Sequence, residues 1–181
     1  VLEKRNDFII KGYKAFAEEA TVENLLDSIV HDVILEGLFF YSGFAFFYNL
    51  ARQQKMVATS TMINYINRDE QLHVDLFVKI YKQLLEEFPE YDTPERAEYV
   101  KNVFREATAL ETEWSNDVIG EDIEGLDIDD VEDYVHFYAN VRCKQLGYDA
   151  PFEGYKENPM KWIKAYQDVD QGKTDFFEQK S

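Results

Sequence analysis

The chain has 181 residues, of which 45% are hydrophobic and 15% aromatic, and its formal net charge at pH 7 is -17. This length suits one domain with a sizeable core, and the acidic balance argues against nucleic acid or an anionic membrane surface as a partner. The single cysteine, Cys143, excludes an internal disulfide framework, the charged N-terminus lacks a signal peptide, and the apolar run 33–48 is short for a membrane span, so we expect a cytoplasmic protein.

Two helices are predicted in the first third of the chain. Apolar residues recur every three or four positions over residues 2–20, which predicts the first helix. Thr21 has the side chain of an N-cap for a second helix that runs from residue 22 to residue 51 or 52. From residue 33 onward that helix is apolar nearly all round, which indicates burial on most sides. Gly37 and Gly43 interrupt it and predict close helix packing or a local distortion.

The third helix carries the polar residues of most interest. A short turn at residues 53–55 predicts that the second and third helices are antiparallel neighbours. The third helix is expected from about Met56 to Glu87. Its predicted inward stripe consists of Met62, Ile63, Ile66, Glu70, His73, Phe77 and Ile80.

The remainder of the chain predicts two more long helices and an irregular end. Thr93 followed by Pro94 is a strong start signal for a helix over 94–118. Asp127 is expected to cap a fifth helix over 128–146, which Gly147 would end in a left-handed conformation. Residues 149–181 are predicted to be irregular, with a short helical turn at 159–167 and a tail from Gly172. The whole chain, 1–181, is thus predicted to form one all-α domain.

Three ionisable residues of these helices predict a metal site. Glu70 and His73 are three positions apart, so both side chains leave the same face of the third helix. Glu36 stands in a stretch with almost no other polar side chain, and a carboxylate buried there needs a partner or a metal. Two carboxylates and an imidazole from two packed helices are half of the ligand set of a dinuclear metal site in a four-helix bundle. These donors suit iron or manganese better than structural zinc.

Each of these residues also has a plainer interpretation. A lone Glu-x-x-His on a helix is often only a solvated face, and it is Glu36 that favours the metal. Asp69 is either a surface charge paired with Arg68 or a carboxylate that orients a metal-bound histidine. The other two histidines, His31 and His136, have no partner at ligand spacing and are expected in the core or on a polar face. Cys143 is expected to be a small helix residue.

Several stretches resemble the small, radical-generating subunit of class I ribonucleotide reductase, and specifically its C-terminal half. Residues 35–44 (LEGLFFYSGF) resemble the family helix that carries a lone glutamate ligand. Residues 66–73 (INRDEQLH) resemble its second Glu-x-x-His helix. Further matches follow in the family's order: Glu113-Trp114, 138–142 (YANVR), 146–148 (LGY), Asn158-Pro159 and Trp162.

The resemblance implies a ferritin-like helical bundle and specific roles for individual residues. The implied metal ligands are Glu36, Glu70 and His73. The implied lining of the apolar pocket around the radical site is Phe40, Phe44 and Ile66. Asp69 would belong to the hydrogen-bonded chain that relays the radical to the large subunit. The cofactor would be a dinuclear Fe/Fe, Mn/Mn or Mn/Fe centre, assembled with oxygen, with half of its ligands from this chain.

The resemblance also implies partners, because half of the family's site has no counterpart here. The family's first aspartate ligand, its first Glu-x-x-His, its radical tyrosine and its relay tryptophan find no match. We therefore expect a complementary N-terminal half, on a separate chain or an unrecorded segment. The complete small subunit would be a homodimer that acts with the large subunit as a ribonucleoside-diphosphate reductase, making deoxyribonucleotides.

Two rival functions remain open on the sequence. One keeps the fold and changes the reaction, to a reductase-like dimetal ligand-binding oxidase. The other is a non-catalytic helical interaction module, which would bind no metal.

Overall fold

The fold is built from α-helices. The computed structural model describes residues 1–120 and 122–167, and no β-strand occurs within these two ranges. The helices are α1 (Leu2–Glu18), α2 (Val22–Ile34), α3 (Tyr41–Arg52), α4 (Val57–Glu87), α5 (Pro94–Val118), α6 (Ile128–Gln145) and α7 (Lys164–Gln167). A π-helical segment, Leu35–Phe39, joins α2 to α3, and 3₁₀ turns lie at Pro89–Tyr91 and Lys161–Ile163. The all-α prediction is confirmed.

Helix starts follow the local capping signals. The Thr21 side chain accepts a hydrogen bond from the Asn24 N–H at 3.1 Å, and Thr93 does the same for Arg96 at 3.2 Å. Asp127 accepts from the Asp129 N–H at 3.0 Å at the start of α6. Each side chain satisfies a backbone N–H that has no partner inside the helix. All three predicted N-caps are therefore confirmed, as is the left-handed Gly147, whose φ is +104°.

The predicted continuous second helix is wrong at one place. Between α2 and α3 the hydrogen-bond pattern widens to a π-helix over Leu35–Phe39, in the segment that contains Glu36 and Gly37. Such segments occur mostly as single turns inside α-helices and are frequent at functional sites. The distortion expected from the glycines thus exists, and it lies at Gly37. At Gly43 the helix is regular.

The helices pack in an order that brings α2, the π segment and α4 together. Helix α2 lies between α1 and α4, α3 packs on α4, and α5 packs on α6. One apolar core joins α1, α2, α4, α5 and α6, and a second joins α3 to α6 and the C-terminal segment. The antiparallel neighbours predicted from the 53–55 turn are observed, although α4 begins at Val57 because Met56 is left-handed, with φ +48°.

The inward stripe predicted for α4 is largely wrong. Met62, Ile66 and Ile80 are exposed, and His73 is half-exposed. The buried residues of this helix are instead Ser60, Asn67, Val74, Val78 and Tyr81. The two sets lie on different sides of the helix, so α4 has an apolar stripe that no other helix within residues 1–120 and 122–167 covers.

The run Val22–Arg52 is long and apolar enough, by length and composition, to cross a membrane. However, 67% of its most apolar 18-residue window is buried by the rest of the fold. A core helix has this character.

The C-terminal segment is only partly covered by the structure. Residues 149–160 are irregular, and the predicted helical turn at 159–167 is present as a 3₁₀ turn followed by α7. The predicted tail from Gly172 lies outside the described residues. The lone cysteine, Cys143, is buried on α6, with its thiol 3.4 Å from the Asp149 carbonyl oxygen.

Candidate metal centre

Three side chains meet between the π segment and α4. His73 Nδ1 lies 2.9 Å from Glu70 Oε2 and 3.1 Å from Glu36 Oε2. One ligand atom from each residue falls within 4.8 Å of the others, and these three residues are the only such His/Cys/Asp/Glu group found among residues 1–120 and 122–167. These are the three residues predicted from the sequence to be metal ligands.

Their positions follow from the elements that carry them. Glu36 projects from the π segment, and Glu70 and His73 project from successive turns of α4. Helix α4 is fixed against α3 by Asn67, whose side-chain N–H donates to the Tyr48 hydroxyl at 2.9 Å. Both hydrogen-bonding groups are buried, so separating the helices would leave both without a partner.

The donor chemistry of the cluster fits a metal ion. The Glu36 and Glu70 side chains are 21% and 15% exposed, and among the described residues the only basic side chain within 4 Å of either is His73. Two carboxylates held this close repel each other unless a proton or a cation lies between them. Hard carboxylate oxygens with one imidazole nitrogen suit iron or manganese. The three residues therefore fit half of a carboxylate-bridged dinuclear centre, which uses about six protein ligands.

Asp69 does not join this cluster. Its side chain is 60% exposed and lies 3.8 Å from Arg68. Within residues 1–120 and 122–167 no hydrogen bond links it to His73. Its role as a relay residue stays a prediction.

The three residues assigned to the radical pocket lie in different environments. Phe44 is buried, and its ring centroid is 6.2 Å from that of Phe40. Phe40 is 37% exposed and Ile66 is 43% exposed. Phe40 and Ile66 are four positions from Glu36 and Glu70 respectively, one helical turn away. They border the cluster but do not enclose it by themselves.

An apolar cavity of about 470 Å³ lies on the α1 side of the π segment. Its lining includes Phe39, Phe40, Phe44 and Trp114, together with the guanidinium-bearing residue Arg5. Phe40 and Phe44 thus line this cavity, whose lining does not include Glu36, Glu70 or His73, and their role at a radical site stays a prediction. Ile66 does not line it.

Sequence reasoning missed a buried ion pair beside this cavity. Arg5 Nη2 lies 2.7 Å from Glu111 Oε2, and it also donates to the Phe39 carbonyl oxygen at 2.6 Å. Ser42 donates to the other Glu111 oxygen. Burial raises the pKa of Glu111 to about 7, and the positive charge of Arg5 opposes that rise. The helical spacing of Glu111 with the apolar residues of α5 could have signalled its burial: Val100, Phe104 and Ala107.

The two remaining histidines are structural, as expected. His31 is buried with Nδ1 2.7 Å from the Asp27 carbonyl oxygen, and its ring lies against Phe8. His136 Nδ1 is 2.8 Å from the Glu132 carbonyl oxygen, and its ring stacks on Tyr155.

The comparison with known protein families decides what this bundle is. Residues 1–159 match the family model described as ribonucleotide reductase, small chain. The chain belongs to this family. The Glu-x-x-His helix and the glutamate helix that suggested the resemblance both lie within the matched region.

Individual relatives of the small-chain family agree with that assignment. The chain is 60% identical over all 181 residues to the ribonucleoside-diphosphate reductase subunit beta of Halalkalibacterium halodurans, and 40% identical over 179 residues to that of Treponema pallidum. It covers 52% and 51% of these two proteins. The chain therefore spans about half the length of the curated relatives it matches.

Solved structures of the family have the same fold. A putative class I ribonucleotide reductase from Bacillus halodurans is 58% identical, with a TM-score of 0.89 over 91% of this chain and 59% of that one. The R2 subunit from Clostridium botulinum is 39% identical, with a TM-score of 0.87 over 92% of this chain and 52% of that one. The predicted ferritin-like bundle is confirmed.

Proposed function

We propose that this chain supplies half of the dinuclear metal centre of a class I ribonucleotide reductase small subunit. The ligands it contributes are Glu36, Glu70 and His73. The complete subunit works with the large subunit as a ribonucleoside-diphosphate reductase, in the cytoplasm, and makes deoxyribonucleotides. Residues 1–181 act in it as one helical domain.

The observation that carries this proposal is the convergence of the three side chains. A surface Glu-x-x-His has no reason to meet a second carboxylate from a π segment 34 residues upstream of Glu70. Here His73 Nδ1 is within 3.1 Å of both carboxylates. A metal ion offers these donors more favourable electrostatics than a single shared proton does.

The missing ligands point to a complementary half. About six protein ligands are needed for such a centre, and this chain supplies three. A homodimer of complete small subunits would hold one full centre in each subunit. The complementary half is either a separate chain or another segment of a longer protein.

The residues around the ligands have simple tasks in this proposal. When bound, the dinuclear iron or manganese centre supplies one-electron oxidation. Glu36 and Glu70 would offset the metal charge, and His73 would add an imidazole nitrogen ligand. Phe40, Phe44 and Ile66 would exclude water from the radical site once the complementary half covers Phe40 and Ile66, and Asp69 would orient the hydrogen-bonded chain that leads to the large subunit.

Native mass spectrometry combined with elemental analysis for iron and manganese tests the proposal. The expected species contains this chain, its complementary half and two metal ions per copy of this chain. Glu70→Ala and His73→Ala should each abolish metal loading. The helical circular dichroism should be unchanged, because both side chains project from the surface of α4 and are not part of its apolar core. A metal-free wild-type assembly would contradict the proposal.

Matched controls come from the same chain. Glu86→Ala alters an exposed glutamate on α4, and His136→Ala alters a histidine away from the cluster. Both variants should load metal as the wild type does. Equal loss of metal in these controls would mean that the ligand variants act through general destabilisation.

One feature favours the rival ligand-binding oxidase. The apolar cavity of about 470 Å³ beside the π segment is large enough to hold a small organic molecule. An oxidase of that kind should release a bound apolar compound when the purified assembly is extracted with organic solvent. Extraction that yields no such compound, with reductase activity present, would remove this alternative.

A further inference from the structure

Arg142 on α6 is a buried arginine that forms no salt bridge with any residue in the described part of the chain. It is only 1% exposed, and within the described ranges no carboxylate lies within 4 Å of its guanidinium. A buried charge is costly unless it is paired or fully hydrogen-bonded. The groups that Arg142 contacts therefore have to account for its presence.

Those groups lie on the two elements that hold the candidate metal ligands. Nε donates to the Gly37 carbonyl oxygen at 3.0 Å, and Nη2 donates to Gln71 Oε1 at 2.9 Å. Gly37 directly follows Glu36, and Gln71 directly follows Glu70. One rigid guanidinium thus contacts the residue after each of the two glutamates.

The remaining contacts hold the guanidinium in its plane. Nη1 donates to Gln145 Oε1 at 2.8 Å, and Nη2 also donates to the Tyr41 hydroxyl, just beyond the π segment. The Gln71 side-chain N–H donates to Asp75 Oδ1 at 3.0 Å, so its carbonyl oxygen faces Arg142. The planar guanidinium of arginine holds its donors in fixed directions, so it fixes the relative positions of its partners better than the flexible ammonium of lysine would.

The contact with the π segment depends on a glycine. A Cβ added to Gly37 would lie 2.7 Å from Arg142 Nε and 3.1 Å from Val74 Cγ2. Where the helical ladder widens to the π pattern, a carbonyl can lose its regular N–H partner and needs another donor. Arg142 supplies that donor to Gly37, and Arg5 supplies one to Phe39 at 2.6 Å.

We propose that Arg142 is a positioning residue of the metal centre. It holds the π segment and α4 at a fixed separation, so that Glu36 and Glu70 stay close enough to bind the same ion. Its role toward the metal rests on the proposed function, whereas its role in holding the π segment does not.

The test uses the complete assembled small subunit and two measurements. Amide hydrogen exchange reports the order of residues 35–41 without metal, and Mn(II) titration under argon, followed by electron paramagnetic resonance of the free ion, reports affinity. Arg142→Gln should raise exchange over 35–41 about tenfold. It should weaken Mn(II) binding by about tenfold or more, as expected when a group that orients a ligand is lost.

Two further variants separate positioning from general stability. Arg96→Gln is the matched control, because Arg96 is also a buried arginine that joins two helices, through Asp27 at 2.8 Å. It should leave Mn(II) affinity and exchange over 35–41 within about twofold of wild type. Gln71→Leu removes one acceptor of Arg142 from a partly exposed site, and should weaken Mn(II) binding even if Arg142→Gln does not fold.

Each result then supports or overturns the inference. If wild type binds Mn(II) and both the Arg142 and the Gln71 variants bind it with unchanged affinity, the positioning role of Arg142 is overturned and the proposed function is not. A wild type that binds no Mn(II) would overturn the proposed function and the metal role of Arg142 together. In that case, unchanged exchange over 35–41 in Arg142→Gln would also overturn its role in holding the π segment.

Discussion

Folding raises the pKa of the Glu111 carboxyl group. It is fully buried between Arg5 and Ser42, and burial raises its pKa from 4.5 to about 7. The folded state therefore binds the Glu111 proton more tightly than the unfolded chain does. The stability that this group contributes is complete below pH 4.5 and is lost as the pH rises through about 7.

Glu111→Gln should remove this pH dependence. The amide has no proton to lose, so the melting temperature of the variant should rise relative to that of wild type between pH 5 and pH 8. Thermal unfolding followed by circular dichroism at four pH values measures the difference. Glu106→Gln, on the exposed side of α5, is the control and should show a constant difference. If the melting-temperature difference between Glu111→Gln and wild type were also constant with pH, the raised pKa of Glu111 would be contradicted.

Asp69 has a different kind of prediction, because its proposed task is outside metal binding. Asp69→Ala should keep both metals and abolish turnover with the large subunit, since its exposed carboxylate contributes nothing to the ligand cluster. Elemental analysis and a reductase assay on the same sample check both halves of the prediction. Full reductase activity in this variant would show that the relay assignment is wrong.

At the scale of elements, the π segment is the feature most sensitive to substitution. Gly37→Ala should lower the free energy of unfolding by about 1–3 kcal/mol, the usual effect of overpacking, because the new methyl group meets Arg142 and Val74. Gly43→Ala is its control: among the described residues, no atom outside its chain neighbours and its own helix backbone lies within 4 Å of the added Cβ, and alanine favours a helix by up to about 1 kcal/mol. Chemical denaturation of this chain measures both, and destabilisation by both would contradict the prediction.

The elements also show what sequence reasoning can and cannot reach. Thr21, Thr93 and Asp127 were predictable as caps because a cap bonds its own neighbouring backbone, within three residues. A distortion was expected from Gly37, but its π pattern was not, because contacts such as the Arg142 hydrogen bond to the Gly37 carbonyl oxygen join residues 105 positions apart in the chain. Glu36, Glu70 and His73 were found because a polar residue in an apolar stretch and an i, i+3 pair are both local signals.

The inward face of α4 was predicted wrongly. Its sequence carries two apolar stripes, and periodicity alone does not tell which of them faces the core of this chain. The stripe with Met62 and Ile66 was predicted to be inward, yet α2 and α3 pack on the side of Asn67 and Val74. Only the packing order of the helices distinguishes the two sides.

At the scale of the molecule, that uncovered stripe needs a partner. Exposed apolar residues follow the outer side of α4: Met62, Tyr65, Ile66, Leu72, Leu76 and Ile80. Contiguous apolar surface of this kind marks an interface. Ile66 lies one helical turn from Glu70, so the stripe reaches the proposed metal ligands, which fits the proposed complementary half as its occupant.

Replacing Leu72 and Leu76 with lysine should therefore block assembly and leave the metal ligands in place. The isolated wild-type chain should self-associate in sedimentation velocity experiments, because its apolar stripe is bare, whereas the lysine variant should remain monomeric and fail to bind the complementary half. Glu86→Lys, at the exposed end of the same helix, changes the charge by the same two units outside the stripe. A lysine variant of Leu72 and Leu76 that assembles normally would show that the stripe is not the interface.

The buried Cys143 is a natural probe of local unfolding around α6. Burial raises the pKa of this thiol to about 12, so a thiol reagent cannot attack it until α6 separates from its neighbours. Cys143 directly follows Arg142 in the chain. The alkylation rate of this one natural residue thus measures how often α6, which carries the proposed positioning residue Arg142, separates from its neighbours, without any added label.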